Sequence, residues 1–384
     1  MALVIQPEIR FFRSSQGQHI AYAVQGKPRG EVPLVICPAW WISHVEKDWE
    51  DDRFRRFFTT LGQGLTVVRY DRPGVGLSDP MTGERSLADE ASLLLELANE
   101  LRARQYGLFV MSCGGPPALV HAAQHPDRVT RLCFAGSYAE GASLCPLDVQ
   151  QAMLATVHAH WGMGARAMAD VFMPDADRDD VRGFARYQRN AADAETAARL
   201  LKLTYAMDAG PYLDRIFAET LVIHRRRDRA IPVEAGRSLA AGIRGARFVT
   251  VEGSAHPPWI GDHDTARLAN AFFLGNESSD VEGQAGSRMG GLPLDRKRRC
   301  LVFGDESVSL TPLEYGVLTR LVDAEGSVVT RDELLADVWG QPFGGSNKVD
   351  VLMRSLRRKL GPCAASVETV TGHGYRFSGW PQSE

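Results

Sequence analysis

Over the first two thirds of the chain, short apolar runs bounded by turn residues alternate with stretches of helical period. The runs cover residues 33–37, 65–70, 107–111, 129–134, 220–224 and 246–251. Two further strands, 9–12 and 19–22, flank the polar turn Ser14-Ser15-Gln16-Gly17-Gln18 as a hairpin. Strands alternating with helices predict a mostly parallel sheet covered on both faces. One intervening helix is predicted over 86–103, with Leu87, Leu93, Leu94, Leu97 and Leu101 apolar and Ser86 with Asp89 as a capping pair. Residues from about 146 to 216 interrupt the alternation. They are helix-rich, hold His158, His160, Trp161, Met163, Phe172, Tyr187, Tyr205 and Tyr212, and read as a lid inserted between sheet strands.

The pattern stops after Phe272-Phe273-Leu274. Residues 275–293 are rich in Gly, Ser, Asn, Asp and Glu, which is the composition of a flexible linker. It restarts with two short strands, 299–303 and 307–310. Thr311-Pro312-Leu313-Glu314 then sets an N-cap, a first-turn proline and a capping-box acid before a helix. Thr330-Arg331-Asp332-Glu333 repeats the box. A third helix runs from about Asn347 to Leu360, closed by Gly361. On its wheel Val349, Met353, Leu356 and Leu360 fall in one sector, and Asn347, Val351, Arg354 and Arg358 in the opposite one. Residues 367–377 form a hairpin around Gly372-His373-Gly374.

Length and charge narrow this picture. At 384 residues the chain should hold about two domains: 1–274, and 294–384 beyond the linker. No long apolar run suggests a membrane span, and the first residues lack the pattern of a signal peptide, so the expected location is the cytoplasm. The net charge of −3 excludes a global basic field, so any nucleic acid must meet a local patch. From Leu294 onward acids and bases balance. The acids Glu314, Asp323, Glu325, Asp332, Glu333 and Asp337 gather in the first two helices, and Lys348, Arg354, Arg357, Arg358, Lys359 and Arg376 in the third helix and hairpin. The acidic side should face away from phosphate. Cys37, Cys113, Cys133, Cys145, Cys300 and Cys363 show no paired C-x-x-C spacing and read as small hydrophobes, with no metal and no cofactor expected.

Candidate chemistry lies just after the strands. The strand Leu108-Phe109-Val110-Met111 runs into Ser112-Cys113-Gly114-Gly115-Pro116 and a helix. A serine on a strand-to-helix turn followed by glycines is the nucleophile-elbow pattern, although Val110 replaces its first glycine. Asp228 and His256 each follow a later strand, giving the order Ser, Asp, His. Attack by Ser112, proton transfer by His256 and orientation of the imidazole by Asp228 are the corresponding roles. The alternative is a pocket lined by the same residues without catalysis. The Arg225-Arg226-Arg227 run reads as a solvated loop.

On these motifs residues 9–274 resemble the α/β-hydrolase family. Asp71-Arg72-Pro73-Gly74-Val75-Gly76-Leu77-Ser78 matches its "D-x-R-G-x-G-x-S" segment with Pro73 in place of the arginine. The resemblance implies an α/β fold with an eight-stranded sheet, a helical lid and a triad of Ser112, Asp228 and His256. It also implies oxyanion donors at the backbone N–H groups of Trp40 and Cys113, where Pro38-Ala39-Trp40-Trp41 stands in place of the usual His-Gly. Ala39 for glycine, and Arg225 for the glycine before the acid, are further departures. Trp40, Trp41 and Trp259 are candidates for an apolar pocket wall.

Residues 294–380 resemble the OmpR-type output domain of bacterial response regulators, on "LTPLEYGVL", "VVTRDELLADVW", "KVDVLMRSLRRKL" and "VETVTGHGYRF". The resemblance implies a winged helix-turn-helix with the third helix in the major groove and the hairpin as wing. By it, Asn347, Lys348, Val351, Arg354, Arg357 and Arg358 face DNA from the helix, and His373 and Arg376 from the wing. Asn347 and Thr371 stand where relatives often carry arginine, so sequence preference should differ.

No receiver domain precedes the output domain in this sequence. The expectation is a one-component transcription regulator that binds double-stranded DNA as a homodimer, contacts RNA polymerase, and responds to a small molecule in the Ser112 pocket. The second reading is an active serine hydrolase, esterase- or lactonase-like, whose DNA binding serves autoregulation or signal clearance.

Overall fold

The computed structural model describes residues 7–26, 32–261, 264–275, 294–295, 300–303, 306–324, 326–339 and 347–379. The linker expected over 275–293 lies outside the described residues apart from Gly275, as does the loop 340–346. The chain divides into two compact units, Met1–Asn276 and Glu277–Glu384.

Among its described residues the first unit has eight strands: β1 (Glu8–Arg13), β2 (His19–Gln25), β3 (Leu34–Cys37), β4 (Thr66–Tyr70), β5 (Tyr106–Ser112), β6 (Val129–Ser137), β7 (Glu219–Arg225) and β8 (Arg247–Val251). Their spatial order is β1-β2-β4-β3-β5-β6-β7-β8. β1 and β2 pair antiparallel, as do β2 and β4, and every other pair is parallel. Parallel strands need crossovers, and helices supply them on both faces. They are α1 (Asp52–Leu61), α2 (Leu87–Glu100), α3 (Gly115–Gln124) and α8 (Val233–Gly242), and α9 (Asp264–Leu274) follows the last strand and packs beside α1.

Local sequence accounts for these elements. α1 starts where Asp51 caps the Arg53 N–H, and its Phe54, Phe57, Phe58 and Leu61 recur at helical spacing and are all buried. Each such side chain contributes about 1.5–3 kcal/mol by leaving water. α2 starts on the expected capping box, with Ser86 and Asp89 each bonded to the other's backbone N–H. Between β6 and β7 lie four lid helices: α4 (Leu147–Ala159), α5 (Trp161–Phe172), α6 (Arg178–Ala191) and α7 (Ala194–Ala206).

Among its described residues the second unit holds two three-stranded sheets and three α-helices. β9 (Leu294–Asp295), β10 (Cys300–Phe303) and β11 (Glu306–Ser309) form one sheet; β12 (Val329–Thr330), β13 (Val367–Val370) and β14 (Gly374–Phe377) form the other. The sequence pattern had offered no β9 or β12. Two residues are too few to show a period. The helices are α10 (Pro312–Asp323), α11 (Arg331–Trp339) and α12 (Asn347–Leu360). Val349, Met353, Leu356 and Leu360 of α12 are buried with Val317, Leu318 and Leu321 of α10, Leu334 and Leu335 of α11, and Tyr375 and Phe377 of β14. The apolar face from Val349 to Leu360 is what seats α12 in its domain while leaving the other face open. Both capping boxes are present: Glu314 N donates to Thr311 Oγ1 and Thr311 N to Glu314 Oε2, and Glu333 N with Thr330 do the same.

Candidate active site and nucleic-acid interface

Ser112 is the last residue of β5 and has φ of +51°, in the left-handed region that a serine rarely adopts. The strain persists because close packing surrounds the turn. The Ser112 carbonyl accepts from Ser137 Oγ at 2.7 Å, and a Cβ on Gly115 would come within 2.2 Å of that same oxygen. Val110, at the family's first glycine position, is fully buried in the sheet core and leaves the turn intact.

Asp228 follows β7, and His256 follows β8. His256 Nε2 lies 2.9 Å from Ser112 Oγ, and its Nδ1 lies 2.8 Å from Asp228 Oδ2. Asp228 Oδ1 accepts the backbone N–H groups of Ala230 and Ile231 at 2.9 and 3.1 Å. Burial alone would raise the Asp228 carboxyl. Its charge interaction and hydrogen bond with His256, with the Ile231 N–H, override this and hold it below the ordinary value. Gly136, at φ of +55°, leaves room for this pair: a Cβ there would sit 3.1 Å from Asp228 Oδ2. The three residues read from the sequence as nucleophile, acid and base are thus brought together, all buried.

Arg225 differs from the solvated loop read from its sequence. It is buried, while Arg226 and Arg227 are exposed. Its guanidinium donates to the carbonyls of Ala255, Pro257, Pro258 and Ile260, at 2.5, 3.0, 3.2 and 2.6 Å. It therefore fastens the segment that carries His256. The lid grips the same segment: the His256 backbone N–H donates to Phe172 O at 2.7 Å, and the Phe172 ring lies 5.0 Å from the imidazole.

Trp40 and Trp259 meet edge to face with centroids 4.9 Å apart, and Trp40 also lies 6.3 Å from both Phe172 and Phe184 of the lid. This aromatic group borders His256 through Phe172. Trp41 stands apart from it in role. Its Nε1 donates to Gln188 Oε1 at 2.8 Å, and Gln188 in turn donates to Ala165 O, so Trp41 seals the lid to the loop after β3. A second buried tie was not read from sequence: Tyr187 of α6 donates to Asp48, which pairs with Arg69 of β4 at 3.1 Å. Burial pushes the Asp48 carboxyl up to about 7 despite the Arg69 charge. Among the described residues, the backbone N–H groups of Trp40 and Cys113 bond to no other protein group. Among the described residues, no group of three or more His, Cys, Asp or Glu is placed to hold a metal ion, and no helix is long and apolar enough to cross a membrane.

In the second unit Lys348, Arg354 and Arg358 are exposed on α12, and Val351 is 63% exposed among them. An apolar side chain held open beside cations suits contact with a thymine methyl and phosphates. Asn347 begins the helix, and its side chain lies outside the described residues. His373 is exposed at the hairpin tip. Arg376 is exposed and pairs with Glu368 across the hairpin. Arg357 is turned elsewhere: it donates to Val367 O at 3.0 and 2.6 Å and to Thr369 Oγ1 at 2.8 Å. It buttresses the wing from α12 and is half-buried. Arg331 and Tyr375 both bond Asp350, joining α11 and β14 to the first turn of α12.

Glu314 also departs from its sequence reading. It is buried and accepts from Ser355 Oγ and Lys359 Nζ, both at 2.7 Å, so it binds α12 from below and is no part of an outward acidic face. Lys359 is correspondingly turned inward.

Residues 34–271 match the alpha/beta hydrolase family, and residues 305–377 match the C-terminal domain of transcriptional regulatory proteins. A 2-hydroxy-6-oxononadienedioate/2-hydroxy-6-oxononatrienedioate hydrolase from Escherichia coli is 28% identical over 195 residues, 48% of this chain and 68% of the relative. A hydrolase structure from Pseudomonas aeruginosa superposes with a TM-score of 0.60 at 25% identity, covering 70% of this chain and 98% of that one. An enol-lactonase from Burkholderia xenovorans shares the fold, with a TM-score of 0.59 at 23% identity over 69% of this chain and all of its own. The chain belongs to the alpha/beta hydrolase family and carries, in the same polypeptide, the OmpR-type winged-helix domain of transcriptional regulators.

Proposed function

We propose that this transcriptional regulator is controlled through its hydrolase domain: a small carbonyl compound binds at Ser112, and its occupancy changes how the winged helices engage DNA. The observation that carries the reading is a preorganised Ser112–His256–Asp228 array in the same chain as an open α12 face. A single winged helix gives modest affinity, so dimers on repeated half-sites are the expected bound form, with RNA polymerase as a partner at the promoter. The names of the relatives, a hydrolase of a 2-hydroxy-6-oxo dienedioate and an enol-lactonase, favour a keto acid or lactone as the ligand class.

A second reading, turnover of that ligand, is favoured by the strained Ser112 backbone and the open N–H pair. In it, Ser112 Oγ bonds to the carbonyl carbon, its proton passes to His256 Nε2, and the carbonyl π electrons move to the oxygen facing Trp40 and Cys113. Collapse expels the leaving group, which takes the proton from His256, and water then frees the acyl group.

The DNA-binding half is tested with the full chain on promoter fragments recovered from genomic DNA. Arg354→Ala should weaken specific binding by about 1–3 kcal/mol, or roughly 5- to 150-fold, and lower the salt dependence. A chain that shows no salt-dependent, sequence-selective binding to any fragment would sink the regulator reading.

A further inference from the structure

Arg72 is a buried cation that the triad does not account for. It lies in the turn after β4 and is 2% exposed. Its Nη2 donates to the carbonyl oxygens of Ala39 and Trp40, at 2.6 Å each, and lies 3.8 Å from Cys113 Sγ. Its Nε lies 3.9 Å from Glu90 Oε2. Glu90 is itself buried and held by Arg85 Nε at 2.6 Å. Arg72 therefore sits between the two segments whose N–H groups, those of Trp40 and Cys113, have no protein acceptor among the described residues.

The geometry of the peptide unit gives this contact a consequence. A trans peptide is planar, with its C=O and N–H directed to opposite sides, and no described peptide bond is cis. The Ala39 carbonyl and the Trp40 N–H belong to one such unit. A guanidinium fastened to that oxygen fixes the plane, and so fixes the direction of the N–H on the far side. It also draws electron density toward the oxygen, which makes the N–H a stronger donor. The bond to Trp40 O holds the next peptide as well, so the first cannot rotate against it. Glu90 compensates the buried charge from 3.9 Å without a hydrogen bond to Nε, and the one nitrogen Nη2 meets both carbonyls.

We propose that Arg72 is the positioning residue of the oxyanion pocket, aiming and polarising the Trp40 N–H toward the carbonyl oxygen of a compound bound at Ser112. The proposal rests on the reading of Ser112 given above. It extends to the ligand: the group recognised is an oxygen that gains negative charge, as in an ester, lactone or ketone under attack.

The test uses full-length wild type, Arg72→Met, Arg72→Lys and Arg72→Ala. Acylation by p-nitrophenyl acetate is followed alongside the amide spectrum of protein labelled with ¹⁵N-tryptophan. Arg72→Met should slow acylation by about 10²–10³-fold, as loss of one oxyanion donor does, with KM little changed. Arg72→Lys should fall between Met and wild type. Free guanidinium should restore Arg72→Ala at least partly, in a saturable way, and do nothing for Ser112→Ala. The Trp40 amide resonance should move in Arg72→Met while that of Trp161 in the lid stays in place. Two results overturn the proposal: an unmoved Trp40 amide with acylation near the wild-type rate, or a loss of activity that follows loss of folded protein and that guanidinium does not recover. A wild type that is never acylated removes the reactive-serine reading, and the Trp40 amide shift then still decides whether Arg72 aims that N–H.

Discussion

Ser112→Ala should abolish covalent capture of a fluorophosphonate probe by the full chain, while leaving thermal unfolding within a few degrees of wild type. The expected effect is complete because the phosphorus must bond to Oγ, and it is the Ser112 hydroxyl that His256 Nε2 meets at 2.9 Å. Asp228→Asn should slow labelling steeply without abolishing it. The amide leaves the imbalance of a hydrogen-bond donor where Oδ2 now accepts from His256 Nδ1, which favours the wrong tautomer of the base. Mass spectrometry of the intact chain and of the peptide bearing Ser112 reads both. Labelling that persists in Ser112→Ala, or a folded wild type that is never labelled, counts against a reactive serine.

A second large effect is expected at Glu314. Its carboxylate takes three hydrogen bonds, from the Thr311 backbone N–H and from Ser355 Oγ and Lys359 Nζ of α12. Burial works against its charge, yet those donors hold its pKa at about 2, below the ordinary 4.5. The sign follows from linkage. A carboxyl whose pKa is lowered by folding adds stability that is complete above 4.5 and is lost as pH falls from there through about 2. Glu314→Gln should therefore destabilise the winged-helix unit at neutral pH, by about 3 kcal/mol for charge-assisted bonds lost at a buried site. The gap between variant and wild type should close in acid. Hydrogen exchange of α10 and α12 amides in the full chain, corrected for intrinsic rates, measures it. A gap that is absent at pH 7, or that widens toward pH 3, contradicts this account.

These two sites also show what local sequence carries. The order Ser112, Asp228, His256 was legible because each residue ends or follows a short apolar run, and parallel strands bring their carboxyl ends to one edge. The α12 face was legible because Val349, Met353, Leu356 and Leu360 recur at helical spacing and all proved buried. Arg225 was not legible. It neighbours two exposed arginines, and its acceptors lie about thirty residues later in a loop with no periodic signal. Arg357 and Arg354 are one turn apart, and only the position of the wing distinguishes the buttress from the open cation. Glu314 was legible as a capping acid, because the box is a local motif, but its bonds to Ser355 and Lys359 span more than forty residues. Arg72 belonged to a motif that could be quoted, yet its grip on Ala39 and Trp40 appears only once the turns after β3 and β4 lie side by side.

In the proposed function, one polypeptide couples occupancy of the Ser112 site to DNA binding. The direct measurement is the affinity of the full chain for a mapped promoter fragment, at fixed salt, before and after stoichiometric fluorophosphonate labelling. Ser112→Ala carried through the same treatment is the control. Coupling of 1–3 kcal/mol, typical of linked sites, predicts a roughly 5- to 150-fold change in Kd for the labelled wild type and none for the control. Equal affinity of labelled and unlabelled wild type for the same fragment would contradict it.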